Sequence, residues 1–173
     1  MSTKIDFANL SLMDALDLAI FIEEEAKERY TEFYDQMVVH HTPEAAAFFY
    51  EMIGNENRHE VELTARRRSL FPGEPRRVKR SMLSEVEAPE YDKTRVFMSA
   101  RQAMVVALEC EIKAYDFFDH ALPHIKNPEV QTLFQELRDE ELLHQQLVRK
   151  EMDKLPPDTG IDPDAFADEP TAQ

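Results

Sequence analysis

The chain has few of the residues that interrupt helices or cross-link a fold. Its 173 residues include three glycines, one cysteine (Cys110) and no tryptophan. A single cysteine excludes an internal disulfide and any Cys-x-x-Cys zinc or iron site within these residues. The scarcity of glycine and of β-branched runs favours helices over strands.

The sequence also lacks long uncharged stretches. No segment approaches the roughly 18 apolar residues of a membrane-spanning helix, and the first residues, MSTKIDFANL, do not follow the pattern of a signal peptide. We therefore expect a soluble, cytoplasmic protein without a membrane partner.

The charge is strongly negative but unevenly distributed. The formal net charge is −15 at pH 7, whereas residues 64–80 hold seven Lys or Arg against one Glu. The overall acidity argues against nucleic acid as a partner and favours cations. The basic segment 64–80 is either an anion-binding patch or a solvated crossover loop, and we favour the loop.

Four segments have the periodicity of amphipathic helices. They are predicted to run from about 11 to 38 with Ser11 as N-cap, from Thr42-Pro43-Glu44, from near Thr94 to near His124, and from Asn127-Pro128-Glu129. About 25 residues separate the second and third helices, whereas the other two connections are only a few residues long. This pattern predicts an all-α four-helix bundle of two helical hairpins joined by one long crossover.

We expect a single folded domain over residues 1–154, with the crossover at about 70–94. The remaining residues 155–173 are acidic and rich in proline. Such a composition predicts a tail without a core of its own.

The second and fourth helices are related by an internal repeat. When the prolines that begin the two helices are aligned, a Glu follows 13 residues after each proline and a His follows 16 residues after it. The aligned pairs are Glu56 with Glu141 and His59 with His144. The same alignment selects Glu141 over Glu140 as the partner of the histidine, because Glu140 aligns with Asn55.

The first helix of each predicted hairpin supplies one further acid on its core-facing stripe. These acids are Glu23 and Glu111, each followed by Ala three residues later and by an aromatic residue (Tyr30 or Phe118) seven residues later. At about 1.5 Å per residue, all four acids lie roughly 20 Å from their hairpin turns. The four carboxylates and two imidazoles are therefore expected at one level of the core.

Such a set of buried groups is typical of a metal site. Four buried carboxylates would repel one another and would each lose hydration, whereas two divalent cations would offset their charge. Glu from two helices with Glu-x-x-His from the other two is the ligand set of di-iron and di-manganese carboxylate bundles. A single Glu-x-x-His motif is usually a solvated pair of side chains. Its repetition at equal offsets from the two helix-starting prolines favours a metal site.

The combined motifs resemble the rubrerythrin branch of the ferritin-like superfamily over residues 11–154. The segments that carry the resemblance are EEEAKERY at 23–30, ENRH at 56–59, EIKAYDFF at 111–118 and ELLH at 141–144. The resemblance implies a ferritin-like bundle that holds two iron ions per chain, with manganese as an alternative, and that reacts with hydrogen peroxide or dioxygen. The implied metal ligands are Glu23, Glu56, His59, Glu111, Glu141 and His144. The implied catalytic residues are these six together with Tyr30. The resemblance also implies that Glu56 and Glu141 bridge the two metals and that Tyr30 lies just outside the ligand shell.

Two departures from the family pattern change what is expected. Rubrerythrins carry a C-terminal rubredoxin domain that these residues lack, so we expect electrons from an external rubredoxin- or ferredoxin-like donor or from ferrous iron. Rubrerythrins also carry an additional glutamate in the third helix, one turn before the ligand, where this chain has Leu108. The six ligands that remain are more similar to a bacterioferritin ferroxidase centre.

The resemblance leaves several functions open. We favour an oxidoreductase for peroxide detoxification or ferrous iron oxidation that works as a homodimer or a larger homo-oligomer. The alternatives are an iron storage or buffering subunit of an assembly, a di-manganese catalase, and a metal-free interaction module.

Four histidines near the predicted hairpin turns stay outside the ligand set. They are His40, His41, His120 and His124. Because histidine at the end of a helix interacts favourably with the helix dipole, we interpret these residues as surface histidines rather than as an iron entry site.

Overall fold

The computed structural model describes residues 5–39, 42–83 and 99–156. Within these ranges the chain forms no strand and four long helices: α1 (Leu12–Val39), α2 (Pro43–Leu70), α3 (Ala100–Ala121) and α4 (Pro128–Met152). Helix α1 packs along α2, and α3 packs along α4, which forms the two expected hairpins. The prediction of an all-α four-helix bundle is confirmed.

Some predictions fall outside these ranges. The middle of the crossover, residues 84–98, and the acidic tail from residue 157 onwards are not among the described residues, so the domain division stays a prediction. None of the helices in the described ranges combines the length and the apolar character needed to cross a membrane.

Three of the four helix starts agree with the sequence. The Ser11 hydroxyl accepts a hydrogen bond from the Asp14 amide at 3.1 Å, and the Asn127 side chain accepts one from the Glu129 amide at 2.9 Å. Thr42 occupies the N-cap position of α2, but its hydroxyl donates to the carbonyl of Met37 at 3.0 Å instead of capping the helix.

The predicted start of the third helix near Thr94 is wrong. Helix α3 begins at Ala100, because Ser99 and Gln102 form a capping box in which each side chain accepts a hydrogen bond from the other residue's amide. The helix ends at Ala121 rather than near His124, and a short 3-10 turn at Leu122–His124 follows. Thr94 and Phe97 lie outside the described residues.

Two apolar clusters fill the bundle, one toward each end. The first includes Leu16, Phe118 and Phe134, and the second includes Phe33, Phe49 and Met104. Along every helix, acids or histidines interrupt the apolar stripe between the two clusters. These six residues, named the polar layer below, are Glu23 on α1, Glu56 and His59 on α2, Glu111 on α3, and Glu141 and His144 on α4.

The basic segment 64–80 packs against the acidic face of α1. Arg67, at the end of α2, forms a buried ion pair with Asp17, in which Nε and Oδ1 are 2.9 Å apart. Further ion pairs join Arg76 to Asp17 and Glu24, Arg77 to Asp14, and Arg80 to Glu25 and Glu28. Arg67 is buried, so the prediction of a solvated segment is wrong for it. Arg76, Arg77 and Arg80 keep 38%, 64% and 41% of their side-chain surface accessible, so this part of the segment is solvated as predicted while it pairs with α1.

Candidate metal centre

The structure brings all six residues of the polar layer together. Five of them are buried, and His59 is the most exposed, with 15% of its side-chain surface accessible. The helical period explains this convergence, because each residue continues the core-facing stripe of its helix. Their proximity therefore follows from the register of the four helices.

His144 lies among three carboxylates of the polar layer. Its Nδ1 atom is 3.3 Å from Oε1 of Glu56, 3.3 Å from Oε2 of Glu111 and 3.8 Å from Oε2 of Glu141. Three helices thus direct a carboxylate toward one imidazole nitrogen.

His59 forms a second centre beside the first. Its Nδ1 atom is 3.5 Å from Oε2 of Glu23 and 4.0 Å from Oε2 of Glu56. The His59 and His144 rings are stacked, with centroids 5.4 Å apart and planes 10° apart. Glu56 therefore presents one oxygen to each histidine.

Each of the two imidazoles has a buried nitrogen to which the described residues offer no hydrogen bond. Among the described residues, Nδ1 of His59 and Nδ1 of His144 have no hydrogen-bond partner of acceptable geometry. Two ligand atoms that lie about 2.1 Å from one cation, at right angles, are about 3 Å apart. The nitrogen–oxygen distances of 3.3–4.0 Å are close to this spacing, so the donor set fits a divalent metal.

Three groups of side chains in the described part of the chain place their donor atoms within 4.8 Å of one another. The groups are Glu56–His59–His144, Glu111–Glu141–His144 and Glu23–His59–Glu140. The repeat selected Glu141 over Glu140, and Glu141 does lie beside His144. Glu140, which sequence reasoning set aside, lies on the opposite side of the centre, with His59.

The position of Glu140 follows from helix geometry. Neighbouring residues of a helix point about 100° apart, so Glu141 faces α3 while Glu140 turns toward α2. Burial raises the pKa of Glu140, and the nearby His59 partly opposes this effect. A pattern of spacing along α4 alone does not reveal which helix stands opposite Glu140.

Tyr30 contacts one carboxylate of the polar layer. Its buried hydroxyl donates a hydrogen bond to Oε1 of Glu111. Burial, reinforced by the charges of Glu111 and Glu56, raises the pKa of Tyr30 well above its ordinary value. The phenol therefore keeps its proton at neutral pH and remains a donor.

The acids and imidazoles also influence one another. Burial alone would raise the pKa of Glu111, but its interactions with His144 and Glu141 and the hydrogen bond from Tyr30 leave that pKa below its ordinary value. The carboxylate of Glu23 raises the pKa of His59, although burial of the ring partly opposes this.

Gln145 is a further residue that sequence reasoning missed. Its side-chain amide is buried and donates to the backbone carbonyl of Glu111 at 3.3 Å. This bond ties α4 to α3 beside the polar layer. Only the position next to His144 in the sequence could have drawn attention to it.

Two of the four histidines near the predicted hairpin turns lie within the described residues. His120 and His124 are exposed at the end of the bundle where α3 packs with the start of α1. The end of α1 and the start of α2 lie at the opposite end of the bundle, in the second apolar cluster. His40 and His41 lie outside the described residues.

The comparisons with known proteins agree with this arrangement. A family model described as Rubrerythrin matches residues 14–152, which is most of the chain. The chain belongs to the rubrerythrin family. This rubrerythrin-family chain is also similar to the crystal structure of an uncharacterized conserved protein from Magnetospirillum magnetotacticum MS-1. The two are 27% identical with a TM-score of 0.71, over 87% of this chain and 99% of the other. The search of curated proteins gives no significant match.

The rubrerythrin fold and the Glu and His groups of the polar layer are together compatible with a di-iron site. At the position where the additional third-helix glutamate of rubrerythrins was expected, Leu108 packs against the second apolar cluster. That position on α3 therefore contributes to the apolar core and offers no oxygen to the centre.

Proposed function

We propose that this chain is a non-haem di-iron oxidoreductase whose oxidant is hydrogen peroxide or dioxygen. The observation that carries the proposal is the pair of buried imidazole nitrogens, on His59 and His144, that face carboxylates without an acceptable hydrogen-bond partner among the described residues. Membership of the rubrerythrin family supports the same conclusion.

The polar layer would hold two metals through two sets of donors. His144 would bind one metal with Glu111 and Glu141, and His59 would bind the other with Glu23. Glu56, which faces both histidines, would contact both metals. Four ionised carboxylates balance two divalent cations, and mixed oxygen and imidazole donors suit iron and manganese.

Two ferrous ions held in this layer would supply the two electrons that convert hydrogen peroxide and two protons into two water molecules, or that begin the reduction of dioxygen. The protein's own contribution is to order the ligands and to exclude water. The two apolar clusters cover the layer from both sides, so its charges interact in a medium of low dielectric constant.

Tyr30 would keep one ligand oriented. Its hydroxyl holds Oε1 of Glu111, while its ring packs against Phe49 and Phe33 at centroid distances of 5.9 and 6.4 Å. A ring fixed in this way cannot follow the carboxylate if Glu111 turns. The bond therefore leaves Oε2 of Glu111 directed toward His144, at 3.3 Å.

A complete cycle also requires a reductant. We propose that electrons come from an external protein donor of the rubredoxin or ferredoxin kind, or that ferrous iron is itself the substrate and leaves as ferric iron. The two cases differ in whether iron is consumed, so the amount of iron oxidised per chain distinguishes them.

The first experiment is an anaerobic titration of metal-free protein with Fe(II), followed by mixing with oxidant. We expect iron binding to the unchanged protein to saturate near two irons per chain. In Glu141→Ala this saturation point should be lost. The matched control is Glu129→Ala, which removes an exposed acid from the first turn of the same helix. It is expected to bind iron as the unchanged protein does.

The oxidant is then identified by following absorbance with time after addition of either hydrogen peroxide or dioxygen. Faster oxidation by peroxide favours a peroxidase, and faster oxidation by dioxygen favours a ferroxidase. The same titration with Mn(II) tests the di-manganese alternative. A chain that shows no saturable uptake of either metal is not an enzyme of this class.

A further inference from the structure

A polar cleft leads from the surface to the His59 side of the polar layer. The α2–α4 cleft is lined by His59, Glu62 and Arg66 on α2 and by Glu136, Leu137 and Glu140 on α4. It encloses about 170 Å³, and one water molecule needs only about 10–15 Å³ of such space. Several water molecules, or a hydrated cation, therefore fit within it.

His59 is the member of the polar layer that this cleft reaches. Its side chain is 15% accessible, whereas the other five side chains of the layer are between 2% and 8% accessible. His59 alone among the six also lines the cleft. A solute that enters between α2 and α4 therefore meets this imidazole before any other residue of the layer.

The lining of the cleft favours cations. It contains the carboxylates of Glu62, Glu136 and Glu140 against one guanidinium, that of Arg66. Arg66 pairs with Glu136 at 3.4 Å where both side chains are substantially accessible, near the mouth of the cleft. The exposed Glu62 and the partly buried Glu140 thus leave the lining with excess negative charge, and a cleft lined by one sign of charge raises the local concentration of opposite ions.

Glu140 connects the cleft to the centre. It lines the cleft and also belongs to a group of possible metal donors with His59 and Glu23. Second evidence that this region receives a ligand is the buried Nδ1 of His59, a residue that lines the cleft. This nitrogen has no acceptable hydrogen-bond partner among the described residues. Glu140 thus places a carboxylate between the solvent and the His59 side of the centre.

We propose that the α2–α4 cleft admits divalent cations to the centre and that Glu140 is the carboxylate that captures them beside His59 and Glu23. This inference rests on the proposed function. Glu140 would give the His59 side of the centre a carboxylate from α4. On α3, where another acid was expected, the chain carries Leu108. A neutral oxidant would not require a carboxylate at this point, so the inference concerns entry of the metal.

The test measures uptake of Co(II) by metal-free protein, both at equilibrium and by stopped-flow absorbance of the bound ion. Glu140→Gln is compared with Asp139→Asn, which removes the same charge from the neighbouring residue of α4. Asp139 is 67% accessible and pairs with Arg138, and it does not line the cleft. Glu140→Asp, which keeps a shorter carboxylate, is a second variant should Glu140→Gln alter the helical circular dichroism.

We expect Glu140→Gln to slow Co(II) uptake about tenfold or more, because the focusing charge is lost, and to weaken the second equilibrium site by roughly tenfold. Asp139→Asn should stay within about twofold of the unchanged protein, since its charge lies outside the cleft. Glu140→Asp should bind more slowly than the unchanged protein but faster than Glu140→Gln.

The outcomes separate this inference from the proposed function. If the unchanged protein binds two Co(II) and Glu140→Gln behaves as Asp139→Asn does, the entry role of Glu140 is wrong and the di-metal centre stands. If the unchanged protein binds no Co(II), both are wrong.

Discussion

Tyr30 illustrates how one hydroxyl acts on a buried charge. The carboxylate of Glu111 is surrounded by the core, and the phenol is one of the donors that compensate for its lost hydration. A buried acceptor that loses its donor retains the full penalty of desolvation. The bond therefore stabilises the fold as well as the orientation of the Glu111 carboxylate.

We expect Tyr30→Phe to lower the free energy of unfolding of the metal-free protein by about 1–3 kcal/mol. Urea unfolding followed by circular dichroism at pH 7 measures this change. Tyr34→Phe, one turn later on α1 and partly exposed, is the control and should change stability by less than about 0.5 kcal/mol. Equal losses in the two variants would contradict a specific role of the Tyr30 hydroxyl.

At the scale of residues, the sequence predicted which side chains meet but not all of their neighbours. Glu56 and His59 could be placed in the core because their helix repeats the pattern of Glu141 and His144. Glu140 and Gln145 could not, since their surroundings depend on which helix stands opposite each side of α4. Periodicity identifies which residues of a helix face the core. The surroundings of the residues at the edges of that stripe depend on how the helices pack.

At the scale of elements, Arg67 fixes the end of α2 against α1. Its guanidinium pairs with the buried Asp17 and also donates to the carbonyls of Phe71 and Glu74, at 2.9 and 3.1 Å. One side chain thus joins two helices and the first turn of the crossover. Such a residue is expected to matter for stability far more than an arginine on the surface.

We expect Arg67→Met to lower the free energy of unfolding by about 3 kcal/mol, because it leaves a buried carboxylate without its main partner. Arg76, which also approaches Asp17 at 3.5 Å, keeps the loss at the lower end of the usual range. Denaturant unfolding measures the effect, with the exposed Arg68→Met as control. Adding Asp17→Asn to Arg67→Met should recover part of the loss; no recovery would mean that the unpaired charge is not its cause.

The start of each helix was predictable where a capping residue was unambiguous. Ser11 and Asn127 precede clear amphipathic stripes, and both cap their helices. At the third helix, where the sequence predicts a start near Thr94, the reciprocal bonds of Ser99 and Gln102 set the start at Ala100. The pairing of the basic segment with α1 was not predictable, because it depends on where the chain turns after Phe71.

At the scale of the whole molecule, assembly stays a prediction. Val38 on α1 and Tyr50 on α2 are exposed and line one largely apolar surface pocket, and contiguous apolar surface often marks an interface. We expect light scattering coupled to size exclusion to give a mass of twice the 20.2 kDa of one chain. A particle of many chains would instead favour iron storage, and a mass of 20.2 kDa would contradict both.

Metal should change the stability of the entire bundle. Binding to the folded state alone adds about 2.7 kcal/mol when free metal exceeds the dissociation constant a hundredfold. We expect Mn(II) to raise the midpoint of urea unfolding accordingly in the unchanged protein. Glu141→Ala should show little of this increase, whereas a similar increase in both proteins would mean that the ion binds elsewhere.

The polar layer between the two apolar clusters has a consequence for the rate at which the chain is degraded in a cell. Without cations, like charges oppose one another at the middle of all four helices, and opening the bundle there relieves them. Proteases degrade chains in proportion to the time they spend open. Newly made chains that bind metal at the proposed centre would persist and those that do not would be removed, so the abundance of this protein would follow the supply of metal.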